Sequence, residues 1–458
     1  KNNFPKKTHI IIIGSDGSLK KKFYKKKNIT FLKINSHKRG PLYSIYLAID
    51  ELNKIIGNNV NIFLSYADIN WKWSRKDFIT IIKKKFCVVT HTNFHPHLEV
   101  NTKSDFCLVE KNKVKKISEK KSNYSDYKLD HLAIGCYFFK KMDAFNLFFK
   151  SFNFNKITKK EYYLVTLINF LIKKNYNVYR HNVSKFVHLG TPEQYEDFVS
   201  WNKKLLLNLK NKNIKLDQSI MLMCGKGKRM SSFLKPKPFI KFQKKEIYKV
   251  IFEKFNTKKN IVILNDKKFR DKISKKFKFY EIGQTKSMIQ TIFKSKNLLK
   301  KYNKYFLLSC DCFGFFKSEK IEKYISTKSK TDLIIFTFKK SYLNKMLKGS
   351  HTNIKFYGNK VLKIDVKSQK ISEYGHAGFF LILSYSLFKY LEIFFKSEFY
   401  KKKSNFREII IDDYFNFLLT KDLCKINTIL LDHYIHIGSE VEYKEYDYWS
   451  NYIKNDYS

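Results

Sequence analysis

An apolar run, Ser219-Ile-Met-Leu-Met-Cys224, empties into Gly225-Lys226-Gly227-Lys228-Arg229, and after a short gap comes Pro236-Lys237-Pro238. Glycines let backbone N–H groups approach a polyphosphate, and a helix start adds its positive end. Arg229 offers a planar fork of donors for phosphate oxygens, and Lys237 a compact point charge. The chemistry this suits is holding the phosphates of a nucleotide. Gly225 to Arg229 alone would also make a tight turn; the coupling to Pro-Lys-Pro favours the phosphate reading. Asp68 and Asp311 each follow an apolar run, where a carboxylate can bind a metal ion or cap a helix. His91, His95 and His97 have no carboxylate or cysteine at ligand spacing. Zinc is therefore disfavoured there, and a substrate-loop or surface role is expected.

These residues must be held by regular elements, and the chain supplies them in a repeating order. Short β-branched and aromatic runs alternate with amphipathic stretches, the pattern of βαβ units around a mostly parallel sheet. Strands are expected at 9–13, 60–65, 260–264 and 305–309. The arrangement occurs twice. Gly40 precedes Asp68 by 68 − 40 = 28 residues, and Gly283 precedes Asp311 by 311 − 283 = 28. Gly135 and Gly378, each opening an aromatic run, lie 135 − 68 = 67 and 378 − 311 = 67 residues further on. Val187-His188-Leu-Gly190-Thr-Pro-Glu193 then pairs with Ile435-His436-Ile-Gly438-Ser-Glu440. The expected fold class is α/β, with two tandem domains over residues 1–208 and 209–458, each a mostly parallel mixed sheet flanked by helices. The first copy has no Gly-x-Gly-x-Arg, and only 39 residues precede Gly40, against 283 − 225 = 58 from loop to Gly283 in the second. With Lys1 at the start rather than Met, the sequence is expected to begin inside a longer protein or to be trimmed.

The order of loop, Pro-Lys-Pro, Gly-Thr segment, strand-end Asp, acidic-Lys pair, Gly before an aromatic strand and late Gly-Thr-Pro-Glu resembles the sugar-phosphate nucleotidyltransferases (nucleotide-diphospho-sugar pyrophosphorylases). The resemblance covers nearly the whole chain, twice over, less the loop in the first copy. It implies nucleotidyltransferase-like domains of GT-A/Rossmann-like fold and Mg²⁺ as cofactor. The implied reaction is attack by the phosphate oxygen of a sugar phosphate, or a related phosphorylated metabolite, on the α-phosphorus of an NTP, with release of pyrophosphate. It further implies that Gly225, Lys226, Gly227, Lys228 and Arg229 hold the triphosphate and that Lys237 clamps the α-phosphate. Gly283 and Thr285, with Gly40 in the first copy, would lie by the base. Asp311 and Asp68 would bind Mg²⁺, and Lys367, Gly378, Lys120, Gly135 and Glu161 would face the sugar phosphate. Arg229, Lys237 and Asp311 are the catalytic candidates. Phe94-His-Pro-His97, Glu119-Lys120 and Gly190-Thr-Pro-Glu193 resemble the branch associated with bacterial capsule and surface-polysaccharide biosynthesis. The chain departs from the pattern where the family has a second Mg²⁺-binding Asp, for His188 and His436 stand there. The acidic member of the second copy's acidic-Lys pair is Val366. A neutral His is a poor ligand for an ion that prefers oxygen, so weaker metal binding, a substitute such as Asp432, or altered activity is expected.

Composition bounds the alternatives. Hydrophobic residues at 43% and aromatics at 17% are ample for packed cores and exclude bulk disorder. The net charge of +51 is spread through every segment beside abundant Asn, Ile, Phe and Tyr. It reads as compositional bias rather than nucleic-acid binding, though it attracts phosphorylated substrates. Seven cysteines without Cys-x-x-Cys spacing indicate reduced, intracellular thiols, with Cys310 and Cys312 expected on one face of a strand. No apolar run approaches the roughly 18 residues of a membrane span, and no signal peptide opens the sequence. The expectation is a cytoplasmic enzyme with an NTP and a sugar phosphate as partners, and a homo-oligomer is left open. Two rivals stand beside it: a catalytically impaired nucleotide-sugar-binding or scaffolding protein, motivated by His436 and the absent loop, and a polyanion-binding protein, motivated by the charge.

Overall fold

The computed structural model describes the chain except residues 1–3, 5–7, 19–27, 58–59, 99–103, 155–160, 207–215, 217, 225–229, 231, 234, 243, 265–266, 286, 303, 326–329, 371 and 455–458. Gly225, Lys226, Gly227, Lys228 and Arg229 thus lie outside the described residues. The chain divides into two compact units, Lys1–Glu196 and Asp197–Ser458.

In the first unit the strands are β1 (Ile10–Gly14), β2 (Ile29–Lys33), β3 (Ile62–Ser65), β4 (Ile69–Lys72), β5 (Phe86–His91), β6 (Asp105–Glu110), β7 (Lys113–Ser118), β8 (His131–Phe139), β9 (Val178–Val183) and β10 (Lys185–His188). In the second they are β11 (Gln218–Met223), β12 (Lys241–Phe242), β13 (Lys245–Glu246), β14 (Lys259–Leu264), β15 (Lys278–Glu281), β16 (Tyr305–Leu308), β17 (Cys312–Phe315), β18 (Leu333–Lys339), β19 (Asn353–Tyr357), β20 (Lys360–Asp365), β21 (Tyr374–Ile382), β22 (Ile426–Leu430) and β23 (His433–His436). Inner strands such as β16, whose residues Tyr305 to Leu308 are all buried, read as continuous apolar runs because helices cover both faces.

The main sheets share one plan. The first unit has strand order β3-β8-β5-β9-β7-β6, and the second contains β16-β21-β18-β22-β20-β19 in the corresponding order. Every pairing has the same sense in both. Only β5–β9 and β18–β22 are parallel among these six-strand sets, and β8 and β21 run against their neighbours. The small antiparallel pair β4–β10 corresponds to β17–β23, and the parallel pair β1–β2 to β14–β15. In the second unit β11 joins β14 to β16 through parallel pairings on both sides, making nine strands. Among the described residues of the first unit, no strand bridges β1 and β3 in that way.

Strand register shows where the sequence spacings come from. The numbering offset between the two units is 311 − 68 = 243 at the aspartates, 333 − 86 = 247 where β5 and β18 begin, and 378 − 135 = 243 at the glycines. The equal 67-residue spacing therefore results from two opposite four-residue length changes, before β5 and before β8. The 28-residue spacing lies within a single offset, since 283 − 40 is also 243. The aromatic stripe Phe145 to Phe154 buries Phe145 and Phe148 from the helix Asp143–Ser151. No helix among the described residues is long and apolar enough to cross a membrane.

Candidate functional site

In the second unit, β16 ends at Leu308 and β17 starts at Cys312, so Asp311 sits in the turn between two strands. This removes both the helix-cap alternative for Asp311 and the placement of Cys310 and Cys312 on one strand. Asp68 likewise lies between β3 and β4, not at a helix start. Residue pairing across β17 and β23 sets Cys312 opposite His436, and Ile437 N–H donates to the Asp311 carbonyl at 2.8 Å. Two glycines make room. Gly378 has φ +76, and a Cβ there would lie 2.8 Å from Cys312 Sγ; a Cβ on Gly438 would lie 2.2 Å from His436 Nε2 and 3.0 Å from Asp311 Oδ2.

Lys237 opens a short 3₁₀ turn, Lys237–Phe239. Pro236 and Pro238 limit its backbone by fixing φ, and Phe239 is buried against Tyr248 and Phe269. The outcome is an ammonium aimed inward: Lys237 Nζ donates to Asp311 Oδ2 at 2.5 Å, with both side chains 11% exposed. Ser309 Oγ donates to the other oxygen, Oδ1. His436 Nε2 stands 3.8 Å from Oδ2, and His436 Nδ1 is 2.5 Å from Glu442 Oε1. Ser439 Oγ donates to Glu442 Oε2 at 2.6 Å, and His351 Nε2 is 3.4 Å from Glu442 Oε1. Ser232, just beyond the glycine loop, donates to Glu440 Oε2 at 2.6 Å.

Burial and charge compete here. Burial pushes the Asp311 carboxyl up, but Lys237 and His436 hold it well below the usual carboxylate range. Burial would lower His436, yet Glu442 and Asp311 raise it to about 9. Glu442, which burial would raise, is drawn down to about 2 chiefly by His436. His351 is pushed to about 3 by burial and then by His436. At neutral pH the centre is therefore a row of alternating charges: Lys237 positive, Asp311 negative, His436 positive, Glu442 negative.

The first unit has the same scaffold and different electrostatics. Leu189 N–H donates to the Asp68 carbonyl at 2.7 Å, and a Cβ on Gly190 would lie 2.8 Å from His188 Nε2 and 2.9 Å from Asp68 Oδ2. His188 Nε2 is 3.7 Å from Asp68 Oδ2, but the Asp68 side chain is 44% exposed. Gln194 takes the place of Glu442 (442 − 194 = 248, the offset of His436 from His188). Burial lowers the His188 pKa against the pull of Asp68. Gly135, with φ +79, is covered by the Tyr66 ring, 2.4 Å from where its Cβ would be. Gly40, with φ +84, is covered by the Tyr162 backbone, whose carbonyl oxygen would lie 2.6 Å from its Cβ; at Gly283, φ +72, nothing among the described residues lies within 4 Å of that point. Tyr162 is bonded to this segment through Leu42 N–H and the Arg39 carbonyl, at 3.0 and 2.8 Å.

Lys120 and Glu161 come together, 3.8 Å apart, joined by the Tyr163 hydroxyl. Lys367, exposed and with φ +51, holds the left-handed conformation that Lys120 also adopts at φ +55. The Thr285 hydroxyl is bonded to Thr291 at 2.8 Å, which ties the segment to the helix Met288–Lys294. Asp413 pairs with Arg407 at 2.6 Å and accepts the Ile410 N–H, as a helix-start carboxylate does. Asp432 is taken by Lys320 at 2.6 Å. His91, His95 and His97 are buried, so the surface reading of these histidines is wrong: they pack on one another and on Phe186, with His97 Nδ1 3.2 Å from the His188 carbonyl. Ser309, Glu442 and His351 were not singled out in the sequence. Only Glu442 had a readable signal, the Ser439-x-x-Glu442 spacing of a capping box.

Do these residues fit Mg²⁺? The ion wants oxygen ligands in near-octahedral array. In the second unit both Asp311 oxygens already accept from Lys237 and Ser309, and the second position presents His436 between two carboxylates. In the first unit one half-exposed carboxylate faces a histidine. Neither arrangement fits an ion held by paired carboxylates. The His351, His436 and Glu442 ligand atoms do lie within 4.8 Å of one another. The 2.5 Å between His436 and Glu442 is a hydrogen bond, however, shorter than the roughly 3.3 Å between two ligands of a tetrahedral zinc with ~2.0–2.1 Å bonds.

No profile of a known protein family matches the chain, and no curated protein is similar to it in sequence. Among solved structures, it is similar to the inositol-1-phosphate CTP transferase from T. maritima, at TM-score 0.41 and 16% identity, over 53% of this chain and 98% of that one. It is also similar to the nucleoside-diphosphate-sugar pyrophosphorylase from Vibrio cholerae RC9, at TM-score 0.39 and 16% identity, over 50% of this chain and 98% of that one.

Proposed function

We propose that the second unit is a nucleotidyltransferase acting on a sugar phosphate or related phosphorylated metabolite, and that the first unit is a non-catalytic companion. The observation that carries this reading is the delivery of Lys237, from the Pro-Lys-Pro that follows the glycine loop, onto Asp311 beside Gly378. In the reaction, a phosphate oxygen of the acceptor forms a bond to the α-phosphorus of an NTP, the bond from that phosphorus to the bridging oxygen breaks, and pyrophosphate leaves. Such transfers are governed by in-line positioning and charge neutralisation. Gly225, Gly227 and Arg229 hold the triphosphate, Lys237 meets the α-phosphate, and Gly283 admits the base. Gly378 and Lys367 border the acceptor. Since the carboxylates present do not fit Mg²⁺, no step is assigned to the ion. The companion role of the first unit rests on Gly40, whose matching face is filled by Tyr162. The resemblance to capsule and surface-polysaccharide enzymes makes an activated sugar for such a polymer, formed in the cytoplasm, the product we favour. Pyrophosphate release over the four NTPs and dTTP against a panel of sugar phosphates tests the reading. Turnover with at least one pair is expected, and no turnover with any pair overturns it.

A further inference from the structure

We infer that the second unit binds its nucleotide without a divalent cation, with Lys237 and His436 holding the places around Asp311 that an ion and a second carboxylate would take. The inference rests on the nucleotide reading above, and two independent features carry it. First, both Asp311 oxygens already accept a hydrogen bond, Oδ2 from Lys237 Nζ at 2.5 Å and Oδ1 from Ser309 Oγ. An entering ion would have to displace an ammonium from a pair only 11% exposed, and breaking a buried pair is costly. Second, His436 has a carboxylate oxygen at each ring nitrogen, Glu442 at 2.5 Å and Asp311 at 3.8 Å. The ring therefore presents protons inward, not lone pairs for a metal. The first unit lacks this arrangement, with Gln194 in the place of Glu442.

The test is equilibrium binding of ATP, GTP, CTP, UTP and dTTP to the full chain, each in excess EDTA and in excess Mg²⁺. At least one nucleotide is expected to bind, with a Kd in EDTA within about threefold of its value in Mg²⁺. A Kd weaker by about tenfold or more in EDTA overturns the inference and leaves the nucleotide reading standing. No binding of any nucleotide under either condition overturns both. A second arm uses His436→Asp, which restores a second carboxylate, with folding checked by thermal melting. It is expected to lose nucleotide affinity in EDTA by about tenfold and regain it in Mg²⁺. A folded variant that stays indifferent to Mg²⁺ counts against the role given to His436. If the variant does not fold, the unmodified chain decides.

Discussion

Asp311 and Asp68 occupy the same turn between matched strands, and the chain has built opposite surroundings for them. Asp311 is closed in by an ammonium, a hydroxyl and an imidazole backed by Glu442. Asp68 is 44% exposed, with one neutral imidazole 3.7 Å away. The difference arises from two local facts rather than from the fold. The segment that brings Lys237 follows β11, which has no counterpart among the described residues of the first unit, and one position reads Glu442 in one copy and Gln194 in the other. A shared scaffold thus fixes where a carboxylate stands, while a few side chains decide whether it is spent on the protein's own cations.

The strongest way to break this comparison is Lys237→Ala. It leaves Asp311 buried without its main partner and should cost about 3–5 kcal/mol, read by denaturant unfolding, and lower pyrophosphate release by about 10²-fold or more. A change within about 0.5 kcal/mol would mean the pair contributes little.

Next is Glu442→Gln, which gives the second unit the first unit's residue. The folded pKa of His436, about 9, lies above its ordinary value of 6.5. The stability it contributes is therefore fully present below about pH 6.5 and lost as pH rises to about 9, on the order of 3 kcal/mol. The variant should lose that alkaline decline and show His436 titrating below 6.5, as His188 does. Histidine resonances followed by NMR against pH would show it, and an unmoved His436 would contradict the assignment.

The glycine pair sharpens what the copies share. Gly135→Ala and Gly378→Ala each force a left-handed residue, at φ +79 and +76, against a packed neighbour. Each should destabilise its unit by about 2 kcal/mol. A large effect in one and none in the other, by thermal melting, would mean the turns are not equivalent. The smallest effect is expected from Asp68→Asn, within about 0.5 kcal/mol for so exposed a group, with nucleotide binding unchanged.

Much of this was legible in the residues. The apolar runs of β14 and β16 appear where the pattern places them, and Asp68 and Asp311 both stand at the ends of such runs, because buried strands leave local signatures. The matching 67-residue distances were less meaningful than they looked: loops changed length in opposite directions, and loops tolerate such changes. The helix-cap reading of Asp311 failed because Cys312 begins another strand, whose partner β23 lies more than 100 residues away. His351 was unreadable for the same reason, and Glu442 showed only the Ser439-x-x-Glu442 spacing of a helix start. Their roles come from cross-strand register and from a helix start that folds back on His436, and no local spacing marks His436 as the partner. The histidines at 91, 95 and 97 looked like surface residues because polarity hides how well an aromatic ring packs against Phe186.

Hydrogen–deuterium exchange of the full chain, with and without the nucleotide that supports turnover, tests the central asymmetry most directly. Protection is expected in peptides covering Lys237 to Ile240 and Ser309 to Cys312, with no change in those covering Gly40 to Ala48 and Tyr66 to Ile69. Protection around Gly40 and Asp68 equal to or greater than that around Lys237 and Asp311 would contradict it.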